Sequence, residues 1–226
     1  MFDFSVKIGS KEIKFRKWKV KDKINLDKAK TTKEIRDAVV YNCLENPTEV
    51  LDDEQYQYVL TAIRNASYKV PMKYIFSCIA CGQDFEYEVD PAEVFKAEFK
   101  DYVPIKTKNY EIIVQDIRSR ESYEKLMTDE SLNLSEKELL DFIFHIKSLN
   151  KNDAFTFEDI LKMIDEIDLD EFTEIFSQWS NMRFRVNRNI EAECPHCKKI
   201  NRIYLDVLPG FFPSMWNVNK VNANRV

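Results

Sequence analysis

The alternation of apolar and polar positions changes period several times along the chain, and each change marks an element. Phe4, Val6 and Ile8 alternate with polar neighbours, as do Ile13 and Phe15 with Glu12, Lys14 and Arg16. That period of two is the signature of half-buried strands, and Gly9-Ser10 between them is a turn, so residues 4–8 and 12–15 read as a hairpin. A lysine-rich linker follows. From Thr31 the period lengthens to that of a helix, with Thr31 and Glu34 as a capping box and Ile35, Val39, Cys43 and Leu44 on one face. Asn46-Pro47 ends that helix, because the residue before proline is pushed out of the helical region. A second helix from near Asp52 carries Tyr56, Val59, Leu60 and Ile63.

Four later runs alternate like strands, at 74–77, 85–89, 190–193 and 203–205. Between the two pairs, 110–114 reads as a further strand, Pro91 to Phe99 carries no decisive pattern, and Ile117 to Trp179 looks helical. In that stretch Ser135 with Glu138 makes a capping box ahead of Leu139, Leu140, Ile143 and Ile146. Thr156 with Asp159 opens another helix bearing Ile160, Leu161, Ile164 and Ile167. A last helix from Asp170 to Trp179 presents Phe172, Ile175, Phe176 and Trp179.

Each outer pair of strands brackets a Cys-x-x-Cys, Cys78 with Cys81 and Cys194 with Cys197. Four thiolates are the tetrahedral set that structural Zn²⁺ prefers. The pairing is that of a zinc ribbon, but such pairs usually stand roughly 15–20 residues apart, whereas residues 82–193 intervene here. The fold class is therefore α+β: a split Cys₄ zinc ribbon interrupted by a mainly helical insert, preceded by a β-hairpin and a helical pair. The boundaries are 1–72 for the hairpin and helical pair, 73–90 and 185–207 for the ribbon halves, 91–184 for the insert and 208–226 for a tail. Redox-active dithiols or simple buried thiols are the competing readings, but no βαβ pattern adjoins either pair. His196 could replace a thiolate, although Cys197 stands at the usual spacing. A closed site has no open coordination position, so such a metal would hold the fold and perform no chemistry.

Composition narrows function further. Only three glycines, Gly9, Gly82 and Gly210, are present, which excludes the glycine-rich cradles of P-loop and dinucleotide folds. Cys43 is left over as a core residue of its helix, and the first residues lack the apolar region of a signal peptide, so a reducing, cytoplasmic setting is expected. No apolar stretch reaches the ~18–20 residues that span a bilayer. The acidic run from Asp165 to Asp170 is not a calcium loop, since Ile167 and Phe176 fall where oxygen ligands are needed and Asp170 where glycine is. His145 lies beside an apolar stripe without an obvious partner and reads as structural. No nucleophile–base pair is evident, so catalytic residues are expected to be absent.

The net charge of −5 is unevenly spread. Residues 1–36 hold twelve Lys/Arg against five Asp/Glu. This favours a solvated or protein-binding face over a nucleic-acid arm, because the hairpin alternates and no platform of stacking aromatics accompanies it. A zinc-ribbon nucleic-acid-binding accessory factor using that basic segment is the alternative.

Several of these pieces, in order, resemble the small baseplate hub proteins of T4-like contractile-tailed phages. Lys11-Glu12-Ile13-Lys14-Phe15-Arg16-Lys17-Trp18-Lys19-Val20-Lys21-Asp22-Lys23 is similar to that family's opening K-x-I-x-F-R-P-F-x-V-K-E-E-K, with Lys17 in place of proline and Trp18 in place of phenylalanine. The helical pair ending in Ala62-Ile63-Arg64-Asn65-Ala66-Ser67, the first cysteine pair, a variable middle, the second pair and the terminal Phe211-Phe212 follow. The resemblance implies a non-enzymatic tail component or assembly factor acting at the hub, with other hub proteins and the tape-measure protein as partners. It implies a location in the host cytoplasm during assembly or in the virion baseplate. The segment Leu208 to Trp216, with Phe211, Phe212 and Trp216 on a proline-interrupted stretch, is expected to dock another tail protein, the alternative being that its phenylalanines fold onto the protein's own core.

Overall fold

The structure is a computed structural model that describes residues 1–9, 11–91, 95–98, 102–117, 120–127, 129, 131–205 and 220–221. The fold is mixed α+β, built from helices and small sheets that are antiparallel except where the strand Lys220–Val221 joins Met72–Ser77. The first elements are β1 (Phe4–Ile8), β2 (Lys11–Phe15), α1 (Val20–Lys28), α2 (Thr32–Val39), α3 (Asp53–Ser67), β3 (Met72–Ser77), β4 (Asp84–Val89) and β5 (Ala97–Glu98). There follow β6 (Ile105–Lys106), β7 (Glu111–Val114), α4 (Arg120–Met127), α5 (Leu134–His145), β8 (Ile146–Leu149), α6 (Phe157–Glu166) and α7 (Leu169–Met182). The last described are β9 (Arg185–Val186), β10 (Asn189–Glu193), β11 (Ile200–Tyr204) and β12 (Lys220–Val221). The chain divides into two compact units, one of Met1–Pro47, Asp53–Glu98 and Arg185–Val226, the other of Thr48–Asp52 and Phe99–Phe184.

In the first unit β1 and β2 pair antiparallel with Phe4 opposite Phe15, and Ile13 and Phe15 are buried while their charged neighbours face outward. The expected lysine-rich linker is instead the helix α1. What fixes it is Asp22, fully buried, whose carboxylate accepts two N–H bonds from the Arg16 guanidinium at 2.7 and 2.9 Å and one from the Lys19 backbone at 2.8 Å. A two-pronged guanidinium–carboxylate pair sets orientation as well as energy. Arg16 also donates to the Asn42 carbonyl at 2.7 Å, so the end of β2 is tied to the start of α1 and to the chain beyond α2.

The α2 helix begins as its capping box predicts, with the Thr31 hydroxyl accepting from the Glu34 N–H. It ends at Val39, before the apolar stripe does. Cys43 lies in a short 3₁₀ turn, Tyr41–Cys43, rather than on the helix. The backbone there is drawn to the edge of β2: Arg16 N–H donates to the Cys43 carbonyl at 2.9 Å and Glu45 N–H to the Lys14 carbonyl at 3.0 Å. Cys43 is still a core residue, and burial pushes its thiol up to about 12. Tyr56, Val59, Leu60 and Ile63 form the buried stripe of α3. β3 pairs antiparallel with β4, β12 adds parallel to β3, β10 pairs with β11, and β5, in the stretch without a decisive pattern, pairs with β9.

The second unit combines α4 to α7 with a three-stranded antiparallel sheet in the order β6-β7-β8, so it is less exclusively helical than its periodicity suggests. Ile146, read as part of a helical stripe, turns extended (φ −70°, ψ 123°) and pairs with Val114. The preceding helix is capped by Asn133 with Glu136 rather than by Ser135 with Glu138, while Thr156 with Asp159 caps α6 as expected. The core of this unit gathers Ile112, Phe142, Met163, Ile175 and Trp179, among others. The Phe142 and Trp179 rings meet edge-to-face with centroids 5.2 Å apart.

Candidate metal centre

The two cysteine loops close in the same way. After β3, the Gly82 N–H donates to the Cys78 carbonyl at 2.9 Å and the Cys78 N–H to the Gln83 carbonyl at 3.0 Å. After β10, the Lys198 N–H donates to the Cys194 carbonyl at 2.9 Å and the Cys194 N–H to the Lys199 carbonyl at 2.9 Å. Each turn needs a left-handed residue just after its second cysteine, and both have one: Gly82 at φ 69° and Lys198 at φ 63°. Glycine adopts that conformation freely, and lysine only with strain.

The loops bring all four sulfurs together, with every pair within 4.8 Å. Cys78 and Cys197 lie 3.6 Å apart and Cys81 and Cys194 3.8 Å apart, far too long for disulfides. Four ligands about 2.3 Å from a tetrahedral metal stand about 3.8 Å from one another, so the group has the size of a metal site. Cys78 and Cys194 are buried and Cys81 and Cys197 exposed, which gives the site a sealed inner side. The backbone N–H groups of Cys81 and Ala80 lower the Cys78 thiol to about 6. Cys197 goes the other way, to about 12: the Lys199 N–H favours its thiolate, but partial desolvation of its sulfur and the neighbouring sulfurs of Cys78, Cys81 and Cys194 outweigh it. Four thiolates this close repel one another, and a divalent cation removes that conflict. The four cysteines could thus hold a metal ion.

Asn201 is a residue that the cysteine pattern alone does not reveal. Fully buried on β11, its side-chain amide donates to the carbonyls of Ala192 at 3.3 Å and Lys199 at 3.0 Å. Its oxygen accepts the Ile79 N–H of the other loop at 3.0 Å. One side chain therefore latches the two loops independently of any metal. The only sequence signal is a polar residue at an inward position of an alternating strand. His196 is exposed on the second loop and outside the sulfur group.

His145 is not partnerless. It is completely buried in the second unit, with Nδ1 2.7 Å from the Asp141 carbonyl oxygen and Nε2 3.9 Å from the Asp52 carboxylate. Burial opposes the charged ring, but Asp52 and Asp141 prevail and hold its pKa above the ordinary histidine value. Asp141 in turn pairs with Arg183 at 2.6 Å and accepts from the Tyr123 hydroxyl at 3.1 Å. Only Asp141, one turn earlier on the same helix, was in reach of a sequence pattern. Phe211, Phe212 and Trp216 lie outside the described residues.

Residues 1–213 match the family of the T4 bacteriophage base plate protein. The chain belongs to that family. No curated protein and no solved structure gives a match. Membership makes this a phage baseplate protein, which carries a structural role, contacts with other baseplate proteins and a place in the virion tail baseplate. No helix among the described residues is long and apolar enough to cross a membrane.

Proposed function

We propose that this baseplate protein is a structural component or assembly factor of the tail hub, non-enzymatic, held in shape by one Zn²⁺ and acting through protein–protein contacts. The observation that carries the reading is the closure of two equivalent cysteine loops, more than a hundred residues apart in sequence, on one four-sulfur site. Zinc is the metal that four thiolates at this spacing suit best, and with all four positions filled it would act only as a staple. In this reading β3–β4 and β10–β11 are the two halves of a zinc ribbon. The N-terminal basic character is partly spent inside the protein, where Arg16 is buried against Asp22, and this supports a protein-binding surface over a nucleic-acid arm.

The partners are other hub proteins and the tape-measure protein, met in the host cytoplasm during assembly. Phe211, Phe212 and Trp216 are the proposed contact residues. Two measurements test the proposal. Metal analysis of protein purified without chelator should find one equivalent of zinc, and freely alkylated thiols in a folded, metal-free protein would overturn the staple. Co-expression with the neighbouring tail proteins should recover a hub complex that a chain truncated after Asp206 loses while keeping its zinc. Full association by the truncated chain would overturn the role of the C-terminal aromatics.

A further inference from the structure

The second unit carries an open groove of about 490 Å³ between α5, α6 and α7. Its lining is apolar almost throughout, with Leu139, Ile164, Ile167, Leu169, Phe172 and Phe176 against Ser135 and Glu138. Leu169 at its mouth is 78% exposed. A further hollow of about 370 Å³ shares Leu169, Phe172 and Phe176 and runs on along α7 beside Thr173, Ser177, Ser180 and Asn181. The one charged residue in the lining is Glu138, and two of the bordering helices are acidic. Residues 157–182, which form α6 and α7, contain eight Asp/Glu and a single lysine, Lys162.

The first unit carries the complement. On α1, Val20 is 80% and Ile24 49% exposed, one turn apart on the same face of the helix. Around them, residues 17–30 contain six lysines against Asp22 and Asp27, and Asp22 is already neutralised by Arg16. An exposed apolar pair on a basic helix and an apolar groove bordered by acidic helices are complementary in polarity and in charge, as in helix-in-groove recognition.

We infer that α1 of one copy of this protein docks in the α5–α6–α7 groove of a second copy. Val20 and Ile24 enter the groove beside Leu169 and Phe172, and the flanking lysines face the carboxylates of α6 and α7. The two contacting surfaces differ, so the contact is heterologous and builds closed rings or extended arrays by repetition. The inference does not depend on the metal site.

Two full-length variants with substitutions at exposed positions separate the surfaces: Val20→Glu/Ile24→Glu on α1, and Glu166→Lys/Leu169→Lys at the groove. Sedimentation velocity is run on each, on the unaltered protein and on an equimolar mixture, with circular dichroism as a check of folding. The unaltered protein should associate with rising concentration, about tenfold or more weaker in 1 M salt, where screening shortens to about 3 Å, than in 0.1 M, where it is about 10 Å. Each variant alone should be monomeric, and the mixture should give a 1:1 dimer, because one intact α1 then meets one intact groove. A monomeric unaltered protein, as expected if the groove serves a different protein, would overturn the inference. So would a mixture that stays monomeric, or a variant that still self-associates.

Discussion

Among the described residues of the first unit, β10–β11 is a two-stranded hairpin and β3–β4 gains the two-residue β12. In the second, a three-stranded sheet and the helices α5, α6 and α7 enclose one continuous apolar cluster around Phe142 and Trp179. Isolated hairpins are marginal in water because each buries little apolar surface for the backbone entropy it costs. These hairpins bury Met72, Tyr74, Phe76, Ala192 and Ile203, and the Asn201 latch, with the metal proposed on the four sulfurs, adds a constraint at their tips, whereas the second unit relies on burial and on the Asp141–His145–Arg183 network. The same chain thus uses a point constraint in one region and an extended interface in the other. The two should fail differently.

The largest expected effect is at the point constraint. Cys194→Ser removes a buried sulfur of the proposed metal site, and because metal binding to such sites is folding free energy, of order 10–16 kcal/mol in zinc-finger peptides, the loss should be at least several kcal/mol. Hydrogen exchange should show β3–β4 and β10–β11 deprotected and zinc absent, with protection in the second unit preserved. Deprotection spread evenly over both units would break the contrast. Phe142→Ala is the counterpart in the extended core and should cost about 3–5 kcal/mol. Its denaturation midpoint should fall while zinc content stays at the level of the unaltered protein.

What was legible in the sequence follows the same division. The cysteine pairs, their flanking strands and the stripe Tyr56–Val59–Leu60–Ile63 are local patterns, and local patterns can be read one segment at a time. The helix α1 was hidden because its stability comes from a buried Arg16–Asp22 pair, which is invisible in a run of lysines. Cys43 left its helix because a sheet edge competed for its backbone. Ile146 satisfies both the helical and the strand period, and only pairing with β7 decides between them. Asn133 with Glu136 is as good a capping pattern as Ser135 with Glu138, and starting the helix earlier adds residues to it. Asn201 and the Asp52–His145 approach depend on segments far apart in the chain, so a local pattern could mark Asn201 as a polar residue at an inward strand position but could not name the partners of either.

A smaller effect sharpens the electrostatic side of the comparison. Folding raises the His145 pKa, so the folded state holds this proton more tightly than the unfolded chain. The resulting stabilisation is complete below about 6.5, the unfolded value, and is lost as pH rises through the higher folded value. Urea denaturation of the second unit followed between pH 6 and pH 9 should therefore show stability declining with pH. In His145→Gln, which cannot titrate, that slope should flatten even though the variant is less stable throughout. An unchanged slope would assign the pH dependence to other groups and leave His145 as packing alone.

The smallest effect concerns the two loops themselves, which share their hydrogen bonds but not their left-handed residue. Lys198 at φ 63° carries Cβ strain of about 1–2 kcal/mol, and Lys198→Gly relieves it. Glycine also frees the unfolded chain by about 0.4–1 kcal/mol, so the net gain should lie between about 0 and 1.6 kcal/mol. At the other loop, Gly82→Ala introduces the same strain with no steric addition, since a Cβ built there meets nothing within 4 Å. Its net cost should match the Lys198→Gly gain in size with the opposite sign. Denaturation of both variants in the metal-loaded form checks the symmetry. A Gly82→Ala loss of several kcal/mol would mean that the first loop bears a constraint the second does not, and that the two are equivalent in hydrogen bonding alone.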